Sequence, residues 1–436
     1  MIVLKFGGTS VGFADRIKEV AKLVSDGQRK IVVLSAMAGT TNRLEQIAGF
    51  LSEKKNVEAN EIIDICEKRY LNTVDELFST EEYKKRSKEL VKSHMNSIRS
   101  FTVDLFTVFE EKTILAQGEL LTTALFHFYM KEQGQRAALI AALDFMRINS
   151  DNEPDSNYIK ENLNKLLNEH SSEEILITQG YICRNAFGEI DNLQRGGSDY
   201  SASLIGVATD AAEIQIWTDI DGMHNNDPRF VEGTQSISDL SYDEAAELAY
   251  FGAKILHPTS VLPAKLAAIP VRLLNTMKPD APGTLISGKQ KKNRITAVAA
   301  KDNITAIKIK SGRMFLAYGF LRKVFEIFES YKTPIDMITT SEVGVSVTID
   351  NNKHLKDIVL DLKRYGTVVV DENQVIVCVV GDLVAENNGY ANKIIEAVSH
   401  IPLRMISYGG SNYNVSLLIN AKDKKSALNS LSKKLF

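Results

Sequence analysis

Two short glycine loops, each with one cation, are the stretches whose residue types and spacing could do chemistry. In the first, MIVLKFGGTSVG at residues 1–12, Lys5 nears the end of a run that reads as a strand buried on both faces. Gly7 and Gly8 then expose main-chain N–H groups, and Thr9 and Ser10 can cap a helix whose apolar face is Ile17, Val20, Ala21 and Val24. A strand feeding a glycine turn and a helix N-terminus suits an anion, because unpaired N–H groups and the helix dipole both favour negative charge. The pattern is neither GxxxxGK[ST] nor GxGxxG, and a plain tight turn is the alternative. In the second, LQRGGSDYSASLIGVAT at residues 193–209, Arg195 offers a planar fork for a carboxylate and Asp199 an acceptor for an ammonium. The two together suit a zwitterion, whereas Ser198 or Asp199 as a helix cap is the structural alternative.

Three further stretches add candidates. Ser35 and Thr41 lie in the polar loop after the strand KIVVL, where α/β folds bind ligands, with helix capping as the alternative. Glu119, read as lying in the first turn of an otherwise apolar helix, needs a cation or donors, and a substrate ammonium or the helix dipole would serve. In EIQIWTDIDGMHNNDPRF, Asp219, Asp221 and Asp227 could position a magnesium-bound triphosphate through water, and Arg229 could take a phosphate, although Asp-Gly and Asp-Pro also make turns. Lys254, in SYDEAAELAYFGAKILHP, is a second candidate phosphate cation; His257 is read as structural, since a carboxylate acceptor ionised at pH 7 needs no general base.

These residues need a scaffold, and strands alternate with helices from residue 1 to about residue 288, which predicts an α/β domain with a mainly parallel sheet. Residues 43–112 read as a helical excursion, 137–142 and 175–178 as further strands, and 284–287 as the last strand of this domain. The net charge of -3 excludes an electrostatic case for nucleic acid or an anionic membrane. Three widely spaced cysteines suggest neither a disulfide framework nor a metal cluster, and the absence of an apolar run or leader pattern points to the cytoplasm.

Residues 289–302 read as a charged linker. A βαββαβ pattern follows at 312–372, beginning with RMFLAY, and restarts at 373, where the second copy lacks its last strand. An unpaired sheet edge is a liability, so the spare strand NITAIKIK at 303–311 is expected to complete the second copy, with the first copy inserted into it.

Taken together, KFGGTSVG, VVLSAMAGTTN, QGE, QRGGSD, WTDIDG, DPR and FGAKILHP resemble, in order and spacing, the aspartokinases of the amino acid kinase family. The resemblance implies a three-layer αβα sandwich followed by two ferredoxin-like ACT modules. It further implies transfer of the γ-phosphate of ATP, carried with Mg²⁺, to the β-carboxylate of L-aspartate. By that match Lys5, Gly7, Gly8, Asp199 and Lys254 are catalytic, and Ser35, Thr41, Glu119, Arg195, Ser198 and Asp199 bind aspartate. Lys5, Gly8, Thr218, Asp219, His224, Asp227, Arg229, Lys254 and Ile255 fall on nucleotide positions, with His224 standing where relatives often have tyrosine. The ACT modules imply a homodimer or a tetramer and inhibition by L-lysine through Met314, Ala317, Gly319, Leu321, Asp336, Thr340, Ser341, Glu342 and Val343. Ala317 replaces a serine of close relatives. The chain's end at Phe436 leads us to expect no dehydrogenase domain. The rival readings are a glutamate or acetylglutamate kinase and a catalytically silent amino-acid sensor.

Overall fold

The computed structural model describes residues 1–102, 106–193, 196–252, 256–289, 291–311, 318–383 and 389–436. Its residues form two compact units: 1–223, 238–242 and 255–289 make the first, and 224–237, 243–254 and 290–436 the second.

The first unit is built on an eight-stranded sheet. In chain order its strands are β1 (Ile2–Phe6), β2 (Lys30–Leu34), β3 (Ala137–Leu139) and β4 (Ile175–Gln179). A separate hairpin follows, β5 (Ile182–Arg184) and β6 (Ile190–Asn192), then β7 (Glu213–Thr218), β8 (Asp239–Ser241), β9 (Val271–Asn275) and β10 (Thr284–Ser287). The order across the sheet is β3-β4-β2-β1-β7-β9-β10-β8, parallel except that β10 runs against β9. Strands β2 and β4 are buried along their whole length, as expected of a sheet covered on both faces. The order reverses at β1, between β2 and β7, and the carboxyl ends of these strands are where an α/β sheet opens a crevice.

The expected helical excursion is three helices, Thr40–Ser52, Asn56–Leu77 and Glu81–Ser100. They pack with helix Val108–Glu132 in one core that includes Leu44, Ile63, Val91, Leu121 and Phe126. Two local expectations change. Strand β3 ends at Leu139, and Ala142 opens a short helix. Glu119 lies in the middle of helix Val108–Glu132, because the helix begins at a capping box on Thr107 and Glu110, far upstream of the apolar run.

The second unit carries a six-stranded antiparallel sheet. Its strands are β11 (Ile295–Lys310), β12 (Ile338–Ser341), β13 (Gly344–Ile349), β14 (Thr367–Gly381), β15 (Met405–Tyr408) and β16 (Asn414–Asn420), in the order β12-β13-β11-β14-β16-β15. Here the sequence reading is off by one strand. Residues 304–310, expected to complete the second copy, pair with β13 on one side and with residues 367–374 on the other, so they are the first strand of the first copy. The strand that closes the second copy is Ile295–Lys301, paired with Ile376–Gly381, inside what reads as linker. Two strands run on as one, and a register shift at residues 301–306 marks the join. The segment RMFLAY falls almost wholly on residues 312–317, outside the described residues. Each copy has its own core: Phe320, Val324 and Phe328 against Val345 and Val347 in one, and Ile394 and Leu428 against Val377 and Leu417 in the other.

A lysine–aspartate pair at the strand ends

The candidate site of the first unit gathers at the carboxyl end of β1. Lys5 Nζ lies 2.6 Å from Asp199 Oδ1, with the two side chains only 12% and 16% exposed. Asp199 sits in the first turn of helix Gly197–Ala208. Neither it nor Ser198 caps that helix; the cap position is Gly196, which is left-handed at φ 88° and supplies no side-chain bond. A side chain at Gly196 would also run into Ser260 and His257, so this loop tolerates only glycine there.

Gly7 and Gly8 do different work. The Gly7 N–H donates to Trp217 O at 3.3 Å, so it closes β1 on β7 instead of waiting for an anion. A Cβ on Gly7 would stand 3.5 Å from Lys5 Nζ, in ordinary contact with it. Gly8 brings two loops together: its carbonyl accepts from Ala38 N at 3.1 Å, and a Cβ there would meet Ala36 O at 2.8 Å.

The loop after β2 closes the other wall. Ala36 N donates to Glu119 Oε1 at 3.2 Å, and Met37 N to Thr122 Oγ1 at 3.0 Å. Gly118 permits this approach, because a Cβ there would meet Ala36 Cβ at 2.7 Å. Glu119 is 3% exposed, and Oε2, its other carboxylate oxygen, is buried without a hydrogen-bond partner. Burial pushes its pKa up to about 7, against the pull of the Ala36 N–H and of the Lys5 charge. An acid held near neutrality, with one oxygen unsatisfied, is prepared for a cationic ligand group. Ser35 donates its N–H to Phe6 O at 3.2 Å, which places it beside β1. Thr41 lies in the first turn of helix Thr40–Ser52, and neither it nor Ser35 caps that helix, whose cap is the left-handed Gly39.

Sequence reading missed the braces of this site. Arg69, in the helical excursion, donates to Ala38 O at 2.5 Å and Gly12 O at 3.0 Å, tying the two glycine-bearing loops. Ser10 meets Thr276 Oγ1 at 2.7 Å. Tyr181 has φ 69°, donates its N–H to Ser201 Oγ at 2.8 Å and packs its ring at Gly197. Nothing local marks these residues; their hydrogen-bond partners are 20 or more positions away.

The acids expected together are divided. Thr218 donates to the neighbouring Asp219 at 3.1 Å, and Asp221 bonds Asn275 and Lys278, all in the first unit. His224, Asp227 and Arg229 belong to the second unit. There His224 meets Thr234 Oγ1 at 3.0 Å, and Asp227 and Arg229 pair with each other at 2.7 Å. Arg195, Lys254, Ile255, Met314 and Ala317 lie outside the described residues. His257 Nδ1 accepts from Thr259 N at 3.3 Å and caps helix Pro258–Leu266.

The amino acid kinase family model matches residues 1–275, and an ACT domain model matches residues 377–435. The lysine-sensitive aspartokinase 3 of Escherichia coli K12 is 32% identical over 455 residues, covering 100% of this chain and 99% of its own length. The chain belongs to the aspartokinases. Among solved structures of the family, E. coli aspartokinase III in complex with aspartate and ADP, in the R-state, matches with a TM-score of 0.86 at 31% identity, covering both chains completely. The same enzyme with lysine and aspartate, in the T-state, matches at 0.83 and 31%, covering 100% of this chain and 99% of its own. As the family requires, the chain is a kinase acting on aspartate, and the effector-site residues expected from it lie in the first ACT copy of the second unit. Gly319, left-handed at φ 81°, opens helix Phe320–Ser330 next to the fully exposed Tyr318. Leu321, Thr340, Ser341, Glu342 and Val343 are exposed there, whereas the Asp336 side chain is 1% exposed and paired with Lys301 at 2.7 Å.

Proposed function

We propose that the chain transfers the γ-phosphoryl group of ATP to the β-carboxylate of L-aspartate, releasing ADP and 4-phospho-L-aspartate. The observation that carries this reading is the Lys5–Asp199 pair at the β1 turn, with Glu119 opposite. A β-carboxylate oxygen of aspartate attacks the γ-phosphorus, and the bond to the β-phosphate oxygen breaks. No proton moves, because the nucleophile is already ionised. Lys5, oriented by Asp199, neutralises charge on the transferring group together with the Gly8 N–H; Lys254 and Arg229 are the further phosphate cations. Arg195 holds the α-carboxylate of aspartate, Glu119 and Asp199 receive its ammonium, and Ser35, Thr41 and Ser198 orient it. Thr218, Asp219, His224, Asp227 and Ile255 border the nucleotide. Positioning and charge neutralisation suffice for this chemistry.

Mg²⁺, when bound, would neutralise the phosphates. Asp219 would reach the nucleotide-bound metal through water.

The catalytic domain is residues 1–288 along the chain, of which 224–237 and 243–254 belong to the second compact unit, and the tandem ACT copies occupy the chain from Ile295 onward. These copies bind L-lysine as inhibitor and join two chains into a homodimer, which can pair further. Exposed Tyr318, Leu321 and Val343 support such an interface, and no described helix is long and apolar enough to cross a membrane. Three buried free cysteines agree with residence in the cytoplasm.

An assay of ADP release tests the whole reading. Aspartate should support turnover, glutamate and acetylglutamate should not, and lysine should inhibit where threonine does not. Turnover with glutamate in preference to aspartate would overturn it.

A further inference from the structure

The turn that carries Arg229 is held by the helix Lys424–Leu435, which lies with it in the second unit. Phe230 N and Val231 N both donate to Asp227 O at 3.0 Å, and Pro228 takes the second position of the turn, where its fixed φ is suited. Asn226 Nδ2 donates to Leu428 O at 3.1 Å, and Asn429 Nδ2 donates to Phe230 O at 3.2 Å. Both ends of the turn are therefore hydrogen-bonded to that helix. Behind it, Asn225 O accepts from Val298 N at 2.8 Å, and Val231 enters the core of the second ACT copy.

Lys424 closes the bracket. Its ammonium lies 4.1 Å from the centre of the Phe230 ring and 2.7 Å from Asp302 Oδ2, and the residue is 8% exposed. Lys424 is the first residue of its helix, where a cation opposes the helix dipole, so its place answers to these partners and not to the helix.

The turn presents Arg229 in one orientation. Asp227 takes Arg229 Nε at 2.9 Å and Nη2 at 2.7 Å, and accepts its main-chain N–H at 2.9 Å. A planar guanidinium gripped by Nε and Nη2 keeps Nη1 on its far edge, and the side chain is 73% exposed. Burial raises the Asp227 pKa, but the bonds from Arg229 and the charges of Arg229 and Lys424 bring it below the usual carboxylate range. The acid stays ionised and the fork stays held.

We propose that Lys424 and Asn429 are positioning residues for the nucleotide: they fix the 226–231 turn so that the far edge of the Arg229 guanidinium meets a phosphate group. The arrangement is static and involves no effector. That the phosphate belongs to ATP rests on the function proposed above; the bracket itself does not.

Calorimetric titration of the full chain with a non-hydrolysable ATP analogue and Mg²⁺ tests this, in the wild-type and Arg229→Met backgrounds. Lys424→Met keeps the alkyl stem against the ring and leaves Asp302, half exposed, to water. With Arg229 present it should weaken binding about fivefold, the scale of a partly desolvated cation over a ring. Asn429→Ala, at an exposed residue, should weaken it about two- to threefold, as the loss of one hydrogen bond would. In Arg229→Met both losses should largely vanish, because nothing is left to aim. In kinetics both variants should raise KM for ATP and leave kcat and KM for aspartate as in wild type, a split that general loosening would not give. Analogue binding undiminished in both variants, or losses equal in the two backgrounds, would overturn the proposal. Asn429→Ala carries the test if Lys424→Met does not fold. Coupling to Arg229 in a chain that does not turn over aspartate would support the bracket and dismiss the aspartate reading. Turnover of aspartate with uncoupled losses would do the reverse.

Discussion

Two lysine–aspartate pairs of nearly the same length stand in opposite surroundings in this molecule. Lys5–Asp199 and Lys301–Asp336 are separated by 2.6 and 2.7 Å, and both lysines lie on strands. At Lys5 one carboxylate faces one ammonium beside a glycine turn, so the pair is neutral and its cation can turn to an anion. At Lys301 two carboxylates and a phenol surround one ammonium, so the cluster has negative charge to spare and attracts a cation. Contact distance therefore does not tell a transfer site from a sensing site. The charge count around the pair does.

The sharpest way to break this comparison is at Lys5. Lys5→Met should lower kcat by on the order of a thousandfold, since its cation acts in the transition state. Steady-state kinetics showing less than a tenfold loss would make the two pairs equivalent after all. Lys301→Met should do the reverse. It leaves two carboxylates unmatched and should cost about 2–4 kcal/mol in chemical denaturation, while kcat at saturating substrates stays near wild type.

Glu119→Gln sharpens the comparison from the substrate side. The folded pKa of Glu119, about 7, stands above that of an unfolded glutamate near 4.5, so the folded state holds the extra proton. Its contribution to stability is full below pH 4.5, falls as pH rises to 7 and is flat above. The glutamine variant should match wild type at low pH and exceed it by up to about 3 kcal/mol at pH 8, as read by denaturation across that range. Parallel pH profiles would mean that the carboxylate is not desolvated. The smallest effect belongs to Glu342, an exposed acid in the turn between β12 and β13. Glu342→Ala should raise the lysine concentration for half inhibition about two- to fivefold, the scale of a solvent-screened contact; an unchanged titration would confine effector binding to Asp336.

Much of the site could be read from single stretches. Lys5, Gly8 and Asp199 announce themselves by glycine loops next to cations and acids, and the strand–helix alternation locates those loops at strand ends. Two misreadings have one cause. The first-turn position of Glu119 and the second-copy position of residues 303–311 both fail because local patterns show that a helix or strand exists, not where it starts or what lies beside it.

The sequence by itself determined the parallel sheet, the repeated ACT pattern and the residue types at the turn, because burial and glycine geometry are local consequences of composition. Only the tertiary structure decided that Gly7 gives its N–H to Trp217, that Arg69 ties two loops, and that Ile295–Lys301 closes the second copy. It alone placed Asp336 between Lys301 and Tyr250. Each of these joins residues 26 or more positions apart, and a backbone or charged group has many equivalent partners along the chain until packing brings one within 3 Å.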